Sequence, residues 1–442
     1  MDFLRKFLAK DTSAPEQIAG NSTSFEPDLE EAMRKVRRVQ KLGFDVGFAF
    51  LPTHPDAPHL HLCVGRYEKS AGLGSGFDIQ SRGLALAKTL SETIERGLWQ
   101  EHTTYWHENS ILDSSKNLGD TALSLKNLAG FSSETRNRFR KLAYTPETIF
   151  RWSRGVQLDS MRQLFIPSQL VSARYAMDTQ DNDEPLLREP NTNGLAVADT
   201  FEEAAHRGLL ELIERDAFMI TYFNMIRPHR IDQRTIQSTS VQSLIAEFSR
   251  YDLSCEIVHL PTDLPVHVIC VLVRDHRGGP ALVVSAKANY MIEHAVHGAM
   301  MEGLATWTLA RSSGAYRRSI SLEKMSISER VGYWAKPENA KKLSWLWSGE
   351  LISAPKSMPT LNLQSLARAL EKNGCTAAAI DMSPPLLQEL NMHAVVVTSP
   401  ELQPLSMQRD TLYDGGARLH SIPTKFGLTP ARNTPVASHP FP

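Results

Sequence analysis

Thr192-Asn-Gly-Leu-Ala-Val-Ala-Asp-Thr-Phe-Glu-Glu-Ala-Ala-His-Arg-Gly-Leu-Leu-Glu-Leu-Ile-Glu-Arg-Asp-Ala-Phe218 is the stretch whose reading decides the fold. A polar turn (Thr192, Asn193, Gly194) leads through Asp199 and Thr200, either of which suits an N-cap, into a helix. Glu203, Glu211 and Glu214 are spaced eight and three apart. At roughly 100° per residue they fall within about an 80° arc, so one face carries three carboxylates. Leu209, Leu210, Leu212, Ile213 and Phe218 fill most of the remainder, which predicts that much of the helix is buried. Unpaired carboxylates about 4 Å apart repel by roughly 4 kcal/mol at an effective dielectric of 20. Such a face needs cations: arginines, metal ions or a metal-bound polyphosphate.

A single Glu-x-x-Glu-Arg on a helix is ordinarily a solvated face. This one has a second copy, because Ser91-Glu92-Thr93-Ile94-Glu95-Arg96 repeats the pattern of Leu210-Glu211-Leu212-Ile213-Glu214-Arg215. An alanine stands seven residues before the first glutamate of each, Ala85 before Glu92 and Ala204 before Glu211. Ala295 and Glu302 keep that spacing on a third predicted helix, without the second Glu or the Arg. Small residues let helices approach closely, and the repetition predicts related helix packing around one acidic centre.

At these residues the chain resembles the YcaO family, specifically its azoline-forming cyclodehydratase branch (the D-protein of thiazole/oxazole-modified microcin and bacteriocin biosynthesis). The resemblance spans roughly residues 60–442. Its second block, Thr192-Asn193-Gly194 followed by Glu203-Ala204 and Glu211-x-x-Glu214-Arg215, matches closely. The first block is weaker. Gly72-Leu73-Gly74-Ser75-Gly76 reads as a strand-to-helix connection able to bring backbone N–H groups to phosphate. Ser75 stands where the family often has lysine, and Lys88 where it usually has serine. Either a nearby base (Lys69, Arg82 or Lys88) substitutes, or nucleotide binding differs in detail. Asp199 replaces a frequent asparagine. Trp307 replaces a basic residue, with Arg311 as its stand-in. Pro400-Glu401-Leu402-Gln403-Pro404-Leu405 resembles a late family segment, and Ser438-His439-Pro440-Phe441-Pro442 a family terminus whose first proline is Ser438 here.

The rest of the chain sets limits. Its 442 residues, 42% of them hydrophobic, are enough for a large core in one big domain or two. A net charge of −1 gives no polyelectrolyte footprint, which argues against nucleic acid. Cys63, Cys255, Cys270 and Cys375 lie far apart without a Cys-x-x-Cys pair, as expected of a reducing cytosol. No apolar run has the length of a membrane span and no signal-peptide core opens the chain, so a cytoplasmic location and no membrane are expected. Residues 1–40 read as an N-terminal extension, with Phe3, Leu4, Phe7 and Leu8 as one or two amphipathic turns, and 41–442 as one domain. Helices are expected at 28–42, through much of 105–150, at 235–251, 293–311 and 361–373. Strands are expected at 46–51, 59–67, 164–175, 255–260, 266–274, 281–287, 376–381 and 393–398. His59 and His61 share a strand face without an obvious third ligand. Residues 313–360 carry no motif.

The resemblance implies an α/β (α+β) YcaO-type fold of repeated helix-plus-strand units, binding ATP through Mg²⁺ in place of a P-loop. Metal ligands, direct or through water, would be Glu92, Glu95, Glu203, Glu211 and Glu214. Ser75, Arg96, Asp199, Arg215, Glu302 and Arg311 join them at the nucleotide, the two arginines of the repeats either contacting phosphate or holding the glutamates. Catalysis would rest on Glu211, Glu214 and Pro442, whose carboxylate acts as a base or orients one. The implied reaction cyclises Cys, Ser or Thr of a ribosomally synthesised precursor peptide to thiazolines or oxazolines. Implied partners are that peptide with its leader, a leader-binding subunit and an FMN-dependent azoline dehydrogenase, with a homodimer inside a larger complex. Thioamide or macroamidine formation, or a noncatalytic scaffold role, are the alternatives. Deleting the last three residues is expected to lower peptide dehydration by at least about 100-fold while nucleotide affinity changes less. Mass spectrometry beside nucleotide titration checks it, and unchanged dehydration returns the segment to an ordinary disordered tail.

Overall fold

Ala32, Val36 and Val39 recur at helical spacing and are all buried, while Asp28 and Glu30 open and Arg38 and Lys41 close the same segment. That pattern gives an amphipathic helix whose charges complement its dipole, α1 (Pro27–Lys41). The coordinates are a computed structural model describing residues 27–67, 73–101, 110–178, 184–318, 320, 327–406, 414–429 and 438–441. The chain forms two compact units. The first comprises Met1–Glu101, Ala196–Ala204 and Met382–Ala394; the second comprises His102–Leu195, Ala205–Asp381 and Val395–Pro442.

In the first unit, β1 (Val46–Leu51), β2 (His61–Tyr67) and β3 (Leu73–Asp78) form an antiparallel sheet in that order. Helix α2 (Arg82–Glu101) lies against it and carries the first glutamate pair. A Cβ on Gly74 would stand 2.5 Å from Thr93 N, and one on Gly76 2.3 Å from Ala85 O. The glycines therefore let a helix lie directly on strand backbone. They do not form the expected strand-to-helix loop: Leu73–Asp78 is itself a strand, and Gly72 and Lys69 lie outside the described residues, as does the segment of Phe3 to Leu8. Thr89 and Thr93, fully buried at this contact, satisfy their hydroxyls by donating to Ala85 O and Thr89 O, both at 2.7 Å.

The second unit is built on two sheets. Strands β4 (Ser110–Ser114), β5 (Ile149–Gln157), β6 (Gln163–Pro167) and β7 (Leu195–Ala198) precede the central helix α3 (Phe201–Phe223); Ala196–Ala198 of β7 and the first turn of α3 count with the first unit. After it come β8 (His229–Ile231), α4 (Thr239–Arg250), β9 (Leu253–Leu260), β10 (His267–Asp275), β11 (Val283–Asn289) and α5 (Ile292–Ser313). The chain continues through α6 (Ile327–Trp334), β12 (Leu351–Ile352), α7 (Leu363–Lys372), β13 (Ala378–Asp381), β14 (His393–Thr398) and α8 (Ala417–Lys425). One sheet runs β11-β10-β9-β8-β12; the other runs β4-β5-β13-β14-β7, with β6 beside β5. Strand β10 is buried along almost its whole length, paired on both edges and covered by α5. Gly303 permits that cover, since a Cβ there would reach 2.8 Å from Val273. Leu209, Ile213 and Phe218 are buried, as the central helix's pattern requires.

Three expectations change. The described part of the 105–150 stretch, residues 110–150, is mostly not helical: β4 and the start of β5 frame short helical turns, and the core there is Leu125, Leu128, Phe150, Trp152 and Leu187. The strand expected to Tyr175 ends at Pro167, which has no N–H to continue a ladder. A four-residue strand, β7, separates the Thr-Asn-Gly turn from its helix. Among the described residues no helix is long and apolar enough to cross a membrane. Gly76→Ala should destabilise the protein by about 1–3 kcal/mol through overpacking. Urea unfolding checks it, and an unshifted midpoint would mean the helix does not need the bare strand.

Candidate functional site

Each glutamate of the two motifs is held by a backbone N–H. Glu92 Oε2 accepts from Ser75 N at 2.7 Å, and Glu211 Oε2 from Gly194 N at 2.8 Å. In both cases the donor lies 17 residues before the glutamate. The second glutamates reach forward instead. Glu95 Oε1 accepts from Val197 N of β7 at 2.9 Å, and Glu214 Oε2 from Ala288 N of β11 at 3.0 Å. Val197 follows Gly194 by three residues. Ala288 follows by three the residue, Ser285, that stands 17 before Glu302. The repeat is therefore a strand–helix unit written three times, β3–α2, β7–α3 and β11–α5. Ala85, Ala204 and Ala295, the small residues one helical face away, are all fully buried.

The remaining oxygens meet cations. In the first unit Arg96 Nη2 donates to Glu92 Oε1 at 3.2 Å. In the second, Arg215 Nη2 donates to Glu211 Oε1 at 3.1 Å while its Nη1 engages Glu214 Oε1. Thus both repeat arginines hold glutamates. Burial raises Glu92 above the usual carboxylate range, with Arg96 and the Ser75 N–H pulling the other way. Glu214, only 4% exposed, is pushed to about 7 by burial; Arg215 and Lys287 oppose this, and Glu302 and Glu211 add to it. Glu302 pairs with Lys287 Nζ at 2.8 Å and holds that ammonium above its ordinary range.

Lys287, on β11, is thus the cation facing Glu302, and sequence reading missed it. Arg311, the residue expected in that role, lies 3.8 Å from Asp275 Oδ2 and stacks on Trp307, whose Nε1 donates to the same oxygen. Of the bases considered near Ser75, Lys88 pairs with Asp78 at 3.2 Å and Arg82 sits over the Phe50 ring. Thr200 is the cap of α3, its Oγ1 accepting from Glu203 N at 3.1 Å; Asp199 and Glu203 are exposed. His59 and His61 touch at 3.3 Å. Among the described residues no three His, Cys, Asp or Glu side chains are gathered as a metal centre.

The last described residues join this constellation. Phe441 is buried, its ring 4.8 Å from that of Phe218, with the Arg215 guanidinium 4.2 Å above its centre. Pro442 lies outside the described residues. Gln403, in the late proline-flanked segment, donates its N–H to Asp216 at 2.8 Å, and buried Arg418 pairs with the same carboxylate. Sequence reading missed Asp216 and Arg418, since nothing in their spacing links them.

The donor chemistry fits Mg²⁺ and a polyphosphate. The clamped carboxylates are oxygen ligands, as Mg²⁺ requires. Arg215 Nε and Asn193 Nδ2, both buried donors, have no hydrogen-bond partner among the described residues, and Asn193 adjoins the Gly194 N–H that clamps Glu211. Acceptor-rich phosphate suits both.

In the metal-free protein the raised Glu214 gives a signed pH effect. Folded protein then binds this proton up to about pH 7, whereas the unfolded chain releases it near the ordinary value of about 4.3. Stability from this group is largest below pH 4 and falls as pH rises to about 7. Urea unfolding between about pH 5 and 8 should show that decline in the parent and a flatter profile in Glu214→Gln. Identical profiles would contradict it.

Comparison with known proteins gives the same reading. The family description "YcaO cyclodehydratase, ATP- and Mg²⁺-binding" matches residues 79–403. The fold is similar to a heterocyclase solved in complex with substrate and cofactor (TM-score 0.73, 19% identity, 93% of this chain and 57% of that one). It is similar to YcaO from Methanopyrus kandleri bound with AMPPCP and Mg²⁺ (TM-score 0.63, 16% identity, 88% and 95%). It is also similar to a chain of the E. coli microcin synthetase McbBCD complex with pro-MccB17 bound (TM-score 0.60, 11% identity, 89% and 96%). The chain's matches span 27% and 50% of two curated relatives, half their length or less. The match across most of its length settles the family: this chain belongs to the YcaO proteins, whose ligands are ATP and Mg²⁺.

Proposed function

We propose that this chain is an ATP-dependent cyclodehydratase converting Cys, Ser or Thr residues of a precursor peptide to azolines. The observation that carries the reading is the repeated pair of clamped glutamates, with Phe441 seated on the arginine of the second pair. Glu92, Glu95 and Glu203 in the first unit, and Glu211 and Glu214 in the second, are assigned to Mg²⁺, direct or through water. Ser75, Asp199 and Glu302 are assigned to the nucleotide, and Arg96 and Arg215 to holding the glutamates. ATP supplies the phosphoryl group that makes the amide-derived oxygen a leaving group, with Mg²⁺ offsetting its charge.

The chain's own part is orientation. Backbone N–H groups fix one oxygen of Glu92, Glu95, Glu211 and Glu214 and leave lone pairs for a ligand. The side chain of Cys, Ser or Thr gives up its S–H or O–H proton and bonds to the preceding carbonyl carbon; the former carbonyl oxygen, phosphorylated by ATP with release of ADP, departs as phosphate, and loss of the amide proton closes the C=N bond. Pro442, next in sequence to Phe441, is assigned to the reacting end. Arg311, bound to Asp275, is reassigned as structural. A leader-binding subunit is proposed to deliver the peptide and an FMN-dependent dehydrogenase to oxidise the azolines. The McbBCD complex with pro-MccB17 bound, one chain of which this protein resembles in fold, supports a role within a multi-subunit, peptide-bound complex.

Incubating the protein with candidate peptides, a leader-binding subunit, ATP and Mg²⁺ should remove one water per azoline, with phosphate released in step. Glu211→Gln should cut this at least about 100-fold. Dehydration at full rate in EDTA, or exchange of oxygen for sulfur in the peptide, would overturn the assignment.

A further inference from the structure

Helix α6 lies in the stretch 313–360 that carried no motif, and it touches the segment that ends on Arg215. Arg330 is almost fully buried, and its Nη1 lies 2.7 and 3.3 Å from the two ring nitrogens of His439. His439 Nε2 is also 2.9 Å from Ser406 O. The guanidinium can only donate, so a neutral His439 ring must offer it an unprotonated nitrogen, and the tautomer sets which of the two accepts. One turn further along, Trp334 Nε1 donates to Ser438 O at 2.9 Å, and Tyr222 OH of α3 reaches the same oxygen at 3.3 Å. The His439 ring stands edge-on to Phe218 and Tyr222, and Phe441 packs on Phe218 two residues later.

We infer that Arg330 and Trp334 form a clamp setting the register of Ser438–Phe441 on α3, which makes Arg330 a positioning residue for turnover. Two anchors carry this. The Ser438 carbonyl is fixed by an indole and a phenol, and the His439 ring by a guanidinium and a carbonyl. Between them they leave Phe441 one place to go, over Arg215. A one-residue slip would put Pro440 or Pro442 on the guanidinium and forfeit the cation–π contact. Burial pushes Arg330 down to about 10, with Glu189 and Tyr222 acting oppositely, and burial together with the charges of Arg330 and Arg215 holds His439 neutral. A neutral ring is what a guanidinium donor needs.

The inference rests on the proposed function only for its effect on turnover, so the test has two independent readings. Amide hydrogen exchange across 438–441 is measured on the full chain without peptide. Dehydration kinetics and ATP affinity are measured separately. Arg330→Met should speed exchange in that segment and lower kcat, each at least about tenfold. KM for ATP should change less than about twofold, because the glutamates keep their N–H partners. Arg330→Lys should recover part of the protection and rate. If Arg330→Met fails to fold, Trp334→Phe keeps the ring, removes one donor and should show the same split in smaller degree. Unchanged protection overturns the clamp. Lost protection with unchanged kcat overturns its role in turnover while leaving the cyclodehydratase reading intact. Parallel losses in kcat, ATP affinity and global stability, without rescue by lysine, would mark Arg330 as merely structural. If the parent does not dehydrate any peptide, the reading fails and exchange alone decides the clamp.

Discussion

Arg215 carries the electrostatics of the second unit's acidic helix. Glu211 and Glu214 lie one turn apart, and carboxylates that close repel by a few kcal/mol when partly buried. A guanidinium answers this with a planar fork, one Nη to each carboxylate. A lysine, with a single point of charge, would not span both. The fork's flat face remains free for a ring, and Phe441 occupies it. One side chain thus joins a pair of acids to a segment more than two hundred residues away.

The backbone clamps complete what the arginine begins. A carboxylate accepting from one N–H and one guanidinium loses its rotamer freedom before any ligand arrives. The donors come from strands, so the geometry of the acids is inherited from sheet backbone. That explains the glycines under α2: a helix must lie almost on the strand for a two-carbon stem to reach a strand N–H, and Gly74 and Gly76 remove the Cβ atoms that would prevent it. Gly194 serves likewise. At φ +80° it turns where most side chains are strained, and a Cβ there would stand 2.1 Å from Val397 O.

The acids were legible in the sequence because helical periodicity is local. Glu92, Glu95, Glu211 and Glu214, their arginines and the buried alanines follow from spacing alone. Their partners were not legible. Lys287 sits on β11, a strand that the helical spacing of Ala295 and Glu302 does not reach, and Arg330 and His439 meet across more than a hundred residues. The glycine-rich stretch misled because glycine serves a loop and a bare strand equally well, and only the helix above tells which. Trp307 misled in a similar way. Its place in the motif suggested a lost cation, whereas its indole is committed to Asp275 and takes Arg311 with it.

The third repeat shows how strict the pattern is. The second glutamate of α2 is clamped by β7 of the next strand–helix repeat, and that of α3 by β11 of the repeat after it. Helix α5 would need a fourth strand–helix unit to supply the donor, and no fourth copy follows it in the sequence. The position three residues after Glu302 is Ala305, and the next is Thr306 where the arginine would be. Ala305 is buried, so a glutamate there would need its own N–H or cation, since an uncompensated buried charge costs several kcal/mol. Glu302 survives because its cation comes from its own unit, Lys287 on β11. The missing acid is therefore the expected end of a chained series, and its absence argues for the clamps rather than against the site.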